Sequence, residues 1–560
     1  MKYPNIFTLF MNQVEKYGET PVFFTRKNGE WLAKTWQEFG EETIDFACAL
    51  AANKISEGSA VNILAGNICE WTVADIGTIT AGGVGVGIYP TSSPAQCTFI
   101  INHSNAEVLF VDDETQLEKV ALIAKELPRL KLIISLSATD FHAEDFAGIR
   151  IVSYAEFIET GRKSRSTLAE RLLESARNAD AEDTAIMVYT SGTTGAPKGA
   201  MLSHRYILNS VESLRRSIPI FDDDVTLSYL PACHVAERIS GIYNRLYNGT
   251  SAYFVEDLSK LYEIMFDVKP TVFASLPRFF EKVYAQVVSR YGNDATAQQL
   301  RDAFGGNARL LTSGGAPLAN KIADFFAKRE LPILQAYGLT ENICVAFNTP
   351  EAIKFGTVGK PMPMCNVKIG NDGEILVKSE MMFSGYFKEP EKTAEMFDSQ
   401  GWLLTGDLGA LDSDGFLSIT GRKKEIIVLS SGKNVAPALL ENMVKANHLV
   451  SQCFITGDAR NYCAALVTLN QAEALEFSQR HSLDAKTGAE LVNCAEIYDS
   501  INETIESANR RVSRAEQIKK FKILDRDFLP ERGEITPTLK IKRDAVAKHF
   551  AKDIDNLYEN

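Results

Sequence analysis

Helix-like segments alternate with short β-rich segments between about residue 40 and residue 350, and this alternation constrains the fold most strongly. Stretches such as FGEETIDFACALAANK have helical composition, whereas AVNILA, AEVLFVDD and LKLIISL are short and apolar. Strands separated by helices usually pair in parallel, because the connecting helix carries the chain back across the sheet. The sequence therefore predicts an α/β protein with layered, mostly parallel sheets.

The pattern changes after about residue 355. Between residues 356 and 422, short apolar runs are broken by Asn-Asp-Gly and Asp-Gly turns, which is typical of antiparallel hairpins or a small barrel. Helices and strands return afterwards, and 560 residues are too many for one compact core. We therefore predict an N-terminal domain over residues 1–422, with a β-rich lobe at about 356–422, and a small α+β C-terminal domain over residues 423–560.

The overall charge excludes one class of partner. The formal net charge is −13, whereas general affinity for nucleic acid depends on clustered lysine and arginine. Any anionic ligand therefore needs a local pocket. We expect no nucleic-acid partner, and the sequence leaves the formation of a homo-oligomer open.

The cysteine and histidine patterns favour a cytoplasmic protein without zinc. The nine cysteines form no Cys-x-x-Cys pair and the seven histidines have no zinc-ligand spacing, so we expect reduced thiols and a metal, if any, held by oxygen. The N-terminus MKYPNIFTLF lacks the pattern of a secretory signal. The most apolar window, residues 73–90, contains Asp75 and several glycines, which favours a buried helix running into a strand over a membrane span. Peripheral membrane contact stays open.

The strongest local signal is MVYTSGTTGAPKGAMLSH, residues 187–204. Its glycines let backbone N–H groups approach an anion, its hydroxyls add donors, and Lys198 adds a positive charge, so the loop suits a phosphate chain. A Walker loop is excluded, because that motif requires Gly-Lys-Ser/Thr whereas Pro197 and Gly199 flank this lysine. A plain surface turn is the alternative that the residues alone leave open.

The stretch TSGTTGAPKG at 190–199 resembles the phosphate loop [ST]-S-G-[ST]-T-G-x-P-K-G of the adenylate-forming superfamily at every position. That superfamily includes acyl-CoA synthetases, peptide-synthetase adenylation domains and beetle luciferases. The resemblance implies that the loop binds ATP and AMP and that Lys198 is also catalytic. The implied nucleotide-binding residues are Thr190, Ser191, Gly192, Thr193, Thr194, Gly195 and Lys198.

QAYGLTE, residues 335–341, resembles the superfamily motif Y-G-x-[ST]-E. The resemblance implies that Tyr337 and Gly338 contact the nucleotide, with the tyrosine against adenine. It places Thr340 near the α-phosphate and Glu341 on Mg²⁺, both as catalytic residues, and a carboxylate is a suitable ligand for this hard cation. Taken alone, the glutamate would more often belong to a helix capping box.

Two further motifs complete the implied nucleotide site. LTSGGAPL, residues 311–318, resembles the small-residue segment that lines adenine, through Gly314, Gly315 and Ala316. In LLTGD and GRKKE, Asp407 and Arg422 match the residues that bind the ribose hydroxyls. By itself, an aspartate after Thr-Gly would be interpreted as a turn residue.

PACHVAERI, residues 231–239, resembles a stretch of the long-chain acyl-CoA synthetases, Pro-x-x-His-x-x-Glu-Arg, that lies near the carboxylate pocket. The resemblance implies that His234 lines the acyl site. A structural role for this lone histidine is the alternative.

The segment ITPTLKIKRD near the C-terminus resembles the turn Thr-x-[ST]-Gly-Lys that carries the catalytic lysine of the superfamily. The matching frame assigns Lys540, which we expect both to catalyse adenylation and to contact the nucleotide. Leu539 stands where many members have glycine, as in the long-chain branch. We expect Lys542 and Arg543 to be surface charges or to line the phosphate site.

The resemblance also implies a mobile C-terminal domain. In the superfamily this domain rotates about a hinge just after the Gly-Arg pair, which corresponds to Lys424, and then presents a channel for the pantetheine arm of CoA. SSGKNVAP is the matching segment, in which Gly432 can lie close to that arm and Lys433 either assists or is a solvated turn lysine.

The resemblance implies an ATP-dependent fatty-acid–CoA ligase of the long-chain branch, which requires Mg²⁺ and uses medium or long chains. Fatty acid, ATP and CoA are then its small-molecule substrates, and acyl-CoA, AMP and pyrophosphate are its products. The alternatives are an acyl-AMP ligase that serves a carrier protein, another adenylate-forming carboxylate ligase, and a non-catalytic binding protein on the same scaffold.

Overall fold

The computed structural model describes residues 2–137, 143–190, 196–485, 487–536 and 540–559. In chain order its strands are β1 Pro21–Lys27, β2 Glu30–Thr35, β3 Ala60–Leu64, β4 Val84–Ile88, β5 Val108–Val111, β6 Leu132–Ser135, β7 Arg150–Ser153, β8 Thr184–Thr190, β9 Lys198–Ser203, β10 Val225–Ser228, β11 Ser251–Phe254, β12 Val272–Ser275, β13 Leu310–Ser313, β14 Ile333–Leu339, β15 Asn342–Phe347, β16 Lys360–Pro361, β17 Cys365–Ile369, β18 Glu374–Ser379, β19 Gly385–Tyr386, β20 Leu403–Leu411, β21 Leu417–Arg422, β22 Ile427–Val428, β23 Asn434–Val435, β24 Val450–Thr456, β25 Cys463–Leu469 and β26 Ile518–Ile523.

The α-helices are α1 Ile6–Tyr17, α2 Trp36–Ala52, α3 Cys69–Thr80, α4 Pro94–His103, α5 Glu114–Ile123, α6 Tyr154–Arg177, α7 His204–Ser217, α8 Asn244–Asn248, α9 Leu261–Val268, α10 Pro277–Tyr291, α11 Ala297–Asp302, α12 Asn320–Ala327, α13 Pro390–Ala394, α14 Pro437–Lys445, α15 Gln471–Arg480, α16 Gly488–Val492, α17 Ala495–Asn509, α18 Arg543–His549 and α19 Ala551–Asn556. A π-helix, Ala236–Tyr243, runs directly into α8. None of the described helices is long and apolar enough to cross a membrane.

Two large sheets form the body of the molecule. One has the order β19-β9-β8-β4-β3-β5-β6-β7 and is parallel from β8 to β7. The other has the order β16-β15-β14-β13-β12-β10-β11-β1-β2 and is parallel from β14 to β1. Helices cover these strands, so the predicted α/β class is confirmed, and the apolar window at 73–90 is α3 followed by β4, as expected.

The predicted antiparallel hairpins are present in a smaller sheet with the order β17-β18-β20-β21. This stretch is not fully separate from the body, because β16 and β19 leave it to pair with β15 and β9 at the edges of the large sheets. Beyond residue 426, a sheet of β24, β25 and β26 packs with helices around its own apolar clusters. The domain division at residue 422 stays a prediction. The apolar cluster of the N-terminal body extends to Ile419, and the first apolar cluster of the C-terminal part begins at Ile427.

A buried ion pair fixes the π-helix against α3. Arg238 and Asp75 are both fully buried, with the arginine Nε 3.2 Å from Asp75 Oδ2. The Tyr243 hydroxyl donates to the same oxygen at 2.8 Å, and the guanidinium lies 4.9 Å from the Trp71 ring. The π-helix follows His234, so this cluster orients the stretch that carries the predicted acyl-site histidine.

We expect Arg238→Met to destabilise the protein by about 3–5 kcal/mol, because it leaves Asp75 buried without a counter-ion. The measurement is the urea midpoint by tryptophan fluorescence, which reports the N-terminal body because Trp402 is the last of the four tryptophans. Combining the change with Asp75→Leu should recover much of the loss.

The matched control is Lys328→Met, which breaks an exposed ion pair with Asp324 in the same N-terminal body. We expect it to cost at most about 0.5 kcal/mol. An Arg238→Met protein with the wild-type midpoint would contradict the role of the buried pair.

Candidate active site

Two strands frame the predicted phosphate loop. Thr190 ends β8 and Lys198 begins β9, and the two residues are antiparallel partners. The intervening Ser191, Gly192, Thr193, Thr194 and Gly195 lie outside the described residues. The structure therefore fixes where the loop leaves and re-enters the sheet, and the roles of these five residues stay predictions.

Lys198 and Glu341 are linked through a residue that the sequence analysis missed. The Lys198 Nζ lies 4.6 Å from the centroid of the Tyr386 ring, and the Tyr386 hydroxyl donates to Glu341 Oε1. Burial raises the pKa of Tyr386 well above its usual value, and Glu341 raises it further, so the phenol keeps its proton. A tyrosine within the apolar stretch MMFSGYF carries no local signal that would have distinguished it from a core residue.

The turn between β14 and β15 presents Thr340 and Glu341. The Tyr206 hydroxyl donates to the Thr340 carbonyl at 3.0 Å and accepts the Ile343 N–H at 3.0 Å. The Phe383 N–H donates to the Glu341 carbonyl at 3.0 Å. The capping-box alternative for Glu341 is wrong, because a strand and not a helix follows this residue.

The three residues predicted around adenosine are in direct contact. The Tyr337 hydroxyl donates to Asp407 Oδ2 at 2.6 Å, and Arg422 Nε donates to Oδ1 at 2.7 Å. Asp407 and Arg422 are antiparallel partners within β20 and β21, so the aspartate belongs to a strand and not to an isolated turn. Burial and Asp407 raise the pKa of Tyr337 well above its usual value. Tyr337 is 70 positions from Asp407 and 85 positions from Arg422 in the sequence, and the three residues form one hydrogen-bonded unit.

The glycine-rich segment lies beside this unit. Strands β13 and β14 are parallel, with Ser313 opposite Gln335, so Gly314, Gly315 and Ala316 leave the sheet at the same edge as Tyr337. Gly315 has a φ of +78°. A Cβ on Gly338 would lie 1.7 Å from the Ile343 carbonyl oxygen, so only glycine fits there.

The C-terminal turn is closed by Thr536 and Lys540. The Thr536 N–H donates to the Lys540 carbonyl at 2.8 Å, and the Lys540 N–H donates to Thr536 Oγ1 at 3.0 Å. The tip, Pro537, Thr538 and Leu539, lies outside the described residues, so the replacement of glycine by Leu539 is not tested.

Lys540 has an exposed side chain that lies within electrostatic range of Arg422 and Asp407 of the adenosine-binding unit. Partial removal from water lowers the pKa of Lys540, and the positive charge of Arg422 lowers it further. Asp407 and Glu425 act in the opposite direction. Burial lowers the pKa of His234 to about 4, with a smaller contribution from Lys540. The structure therefore brings Lys540 within electrostatic range of both Arg422 and His234.

The hydrogen bond on His234 agrees with a neutral ring. Its Nδ1 accepts the Ala236 N–H at 3.2 Å, which leaves Nε2 as the protonated nitrogen. At neutral pH this side chain adds no positive charge near Lys540. Its role at the acyl site stays a prediction.

The predicted hinge and CoA residues are exposed at the surface. Lys424 is exposed within a short 3₁₀ helix, Lys423–Glu425, that connects β21 to β22. Gly432 and Lys433 are exposed in the turn of the β22–β23 hairpin, where the Leu429 N–H donates to the Lys433 carbonyl at 3.0 Å. Among the described residues, no hydrogen bond or ion pair joins either of them to the predicted nucleotide-binding residues.

The expectation for Arg543 is wrong. Its Nη1 donates to Glu441 Oε1 at 2.6 Å and its guanidinium lies 4.7 Å from the Phe454 ring, so it joins α18 to α14 and β24. Its charge is already paired inside the C-terminal part of the chain and is not a free surface or phosphate-site charge. The nine cysteines are all buried and unpaired, as expected of reduced thiols.

Comparison with known proteins places the chain in a family. The model of the AMP-binding enzyme family matches residues 10–387, and the model of the AMP-binding enzyme C-terminal domain matches residues 424–560. The long-chain-fatty-acid–CoA ligase FadD15 of Mycobacterium bovis is 33% identical, over 95% of this chain and 93% of the relative. The long-chain-fatty-acid–CoA ligase ACSBG2 of Gallus gallus is 30% identical, over 98% of this chain and 80% of the relative.

Solved structures agree on the fold. The adenylation domain of a carboxylate reductase from Mycobacterium chelonae has a TM-score of 0.79 at 23% identity, covering 99% of this chain and 91% of that one. The anthranilate CoA ligase AuaEII, in complex with anthranoyl-AMP, has a TM-score of 0.78 at 20% identity, covering 99% and 98%. The two family models and the curated relatives confirm the resemblance to the adenylate-forming superfamily, and the chain belongs to the AMP-binding enzyme family.

Proposed function

We propose that this protein is an ATP-dependent fatty-acid–CoA ligase that uses medium or long chains. The observation that supports the proposal is that Lys540, although it belongs to the C-terminal turn, lies within electrostatic range of Asp407, Arg422 and His234. The names of the relatives, long-chain-fatty-acid–CoA ligases over nearly the whole chain, support the choice of acid and thiol.

The first half-reaction joins two anions. A carboxylate oxygen of the fatty acid attacks the α-phosphorus of ATP, the bond to the β-phosphate oxygen breaks, and pyrophosphate leaves with the electron pair. Repulsion between the carboxylate and the triphosphate opposes this approach. Lys540 contacts both reactants and stabilises the charge of the transition state, while Lys198 binds the phosphate chain.

Glu341 fits a role as a ligand of Mg²⁺. It is buried, one of its oxygens accepts from Tyr386, and no basic side chain in the described part of the chain forms an ion pair with it. The described residues contain no cluster of three or more metal-ligating side chains, so phosphate and water oxygens would complete the shell. When bound, the ion neutralises phosphate charge. Thr340 lies beside Glu341 in the same turn and would contact the α-phosphate.

The second half-reaction forms the thioester. The thiolate of CoA attacks the carbonyl carbon of acyl-AMP, the bond to the phosphate oxygen breaks, and AMP leaves. Lys540 is no longer required at the carbonyl. We propose that the C-terminal domain then rotates about Lys424 and brings Gly432 and Lys433 from their exposed hairpin to the pantetheine arm.

The direct test of the function is the product formed from ATP, Mg²⁺, CoA and carboxylates ranging from acetate to oleate, with aromatic acids included. We expect acyl-CoA and AMP from medium and long fatty acids. If acyl-AMP accumulates with CoA and is consumed only by a phosphopantetheinylated carrier protein, the acyl-AMP ligase alternative is correct. The absence of acid-dependent pyrophosphate exchange would favour a non-catalytic binding protein.

Lys540→Ala should separate the two half-reactions. We expect acid-dependent pyrophosphate exchange to fall by about 10²–10³, because one preorganised cation is lost from the transition state. Conversion of supplied acyl-AMP and CoA to acyl-CoA should remain largely intact. The control is Lys548→Ala, an exposed lysine in the adjacent helix α18. Equal loss in both half-reactions would contradict the assignment.

Lys424→Pro tests the proposed hinge. Proline fixes φ and removes the backbone N–H, so it should stiffen the connection between β21 and β22. We expect acyl-AMP formation to be spared and thioester formation to be suppressed, as measured by pyrophosphate exchange and acyl-CoA yield. Lys424→Ala, which removes the charge and keeps the flexibility, should leave both steps near wild type. Normal thioester formation in the proline variant would indicate that the hinge lies at another residue.

A further inference from the structure

Tyr386 contacts two predicted catalytic residues with two different parts of its side chain. It is only 5% exposed, and its hydroxyl donates to Glu341 Oε1. The face of its ring lies 4.6 Å from the Lys198 Nζ. An aromatic face attracts a cation and a phenol donates to a carboxylate, so the side chain satisfies both charges at once.

The backbone around Tyr386 is bound to the same two segments. Residues 385–386 form β19, which pairs with β9 directly after Lys198, and the Phe387 N–H donates to the Gly199 carbonyl at 2.8 Å. On the other side, the Phe383 N–H donates to the Glu341 carbonyl at 3.0 Å. Residues 383–387 therefore connect the strand that leaves the phosphate loop with the turn that carries Glu341.

The charges of Lys198 and Glu341 remain separate. Among the ion pairs of the described residues none joins these two side chains. A direct ion pair would withdraw the ammonium group and one carboxylate oxygen from a bound nucleotide. With Oε1 held by the phenol, Glu341 presents its other oxygen, and a single carboxylate oxygen suits the octahedral geometry of Mg²⁺.

We propose that Tyr386 is a positioning residue for ATP, whose hydroxyl orients Glu341 toward the metal and whose ring holds Lys198 apart from that carboxylate. The inference rests on the proposed function only in taking Glu341 as the metal ligand and Lys198 as the phosphate ligand. In this proposal Tyr386 acts through the side chains of Glu341 and Lys198.

Two substitutions separate the two contacts. Tyr386→Phe removes the hydroxyl and keeps the ring under Lys198, whereas Tyr386→Leu removes both. The matched control is Tyr154→Phe, because the Tyr154 hydroxyl also donates to a glutamate, Glu42, at 2.6 Å, in the packing of α6 against α2. Melting temperatures of all variants establish that they fold, and the phenylalanine variants keep the test valid if the leucine variant does not.

The readout is the affinity of a non-hydrolysable ATP analogue by calorimetry, with saturating Mn²⁺ and with EDTA. The ratio of the two dissociation constants measures how much the metal tightens binding. We expect Tyr386→Phe to reduce this ratio on the order of tenfold, with unchanged binding in EDTA, because partners of metal ligands typically contribute that much. Tyr386→Leu should also weaken binding in EDTA, by about 2- to 5-fold, through loss of the ring under the lysine. Tyr154→Phe should change neither value.

A wild-type ratio of dissociation constants in Tyr386→Phe would overturn the proposal. The proposal would also fail if Tyr154→Phe reduced this ratio as much as Tyr386→Phe, or if Glu341→Gln left it unchanged. The measurement uses neither fatty acid nor CoA, so it is independent of the proposed activity. If the wild type forms no acyl-CoA but the ratio falls as expected, the proposed function fails and the role of Tyr386 stands. If acyl-CoA forms but the ratio does not fall, the proposed function stands and the role of Tyr386 fails.

Discussion

The repulsion between a carboxylate and a triphosphate is the constraint on which the rest of this structure depends. Two unit charges 4 Å apart repel by about 1 kcal/mol in water and by several times more in a partly dehydrated cleft. A protein that joins them needs cations supplied from more than one direction. In the proposed mechanism Lys198 comes from the first large sheet and Lys540 from the C-terminal turn, about 340 residues later in the chain. The chain as a whole has a net charge of −13, so these positive side chains are a local exception in an acidic protein.

The fold explains how such distant residues meet. Parallel strands end at one edge of a sheet, so the segments after β13 and within β14 present the small residues and Tyr337 together. The antiparallel pair β20 and β21 then adds Asp407 and Arg422 as direct partners. Short strands from the β-rich stretch, β16 and β19, tie that stretch to both large sheets. Strand register thus fixes Tyr337, Asp407 and Arg422.

Sequence reasoning predicted the parts of the site that lie in continuous motifs. Tyr337, Asp407, Arg422 and Lys540 each belong to a short pattern of characteristic residues, and the structure brings all four together. Their chemical roles remain proposals, and Ser191 to Gly195 lie outside the described residues. The α/β class was predictable because helix-like and β-rich segments alternate along the sequence.

The residues that sequence reasoning missed act through packing between distant segments. Tyr386 lies in an apolar stretch and Tyr206 on the buried face of the amphipathic helix α7, where a tyrosine resembles any core residue. Their hydroxyl partners are 45 and more than 130 positions away. The Asp75–Arg238 pair is separated by 163 positions. Arg543 was misjudged for the same reason, since its partner Glu441 is 102 positions away. Local patterns carry no information on such contacts.

The central claim is that Lys540 meets the reacting groups in the cleft that holds Tyr337, Asp407 and Arg422. Its most direct test is a crystal structure with a non-hydrolysable acyl-adenylate mimic of a long-chain fatty acid. The account predicts adenine beside Tyr337, the ribose hydroxyls on Asp407, and the Lys540 Nζ within hydrogen-bond distance of the mimic where carboxylate and α-phosphate would join. Adenosine bound elsewhere, or Lys540 remote from a mimic that occupies this cleft in every domain arrangement observed, would contradict it.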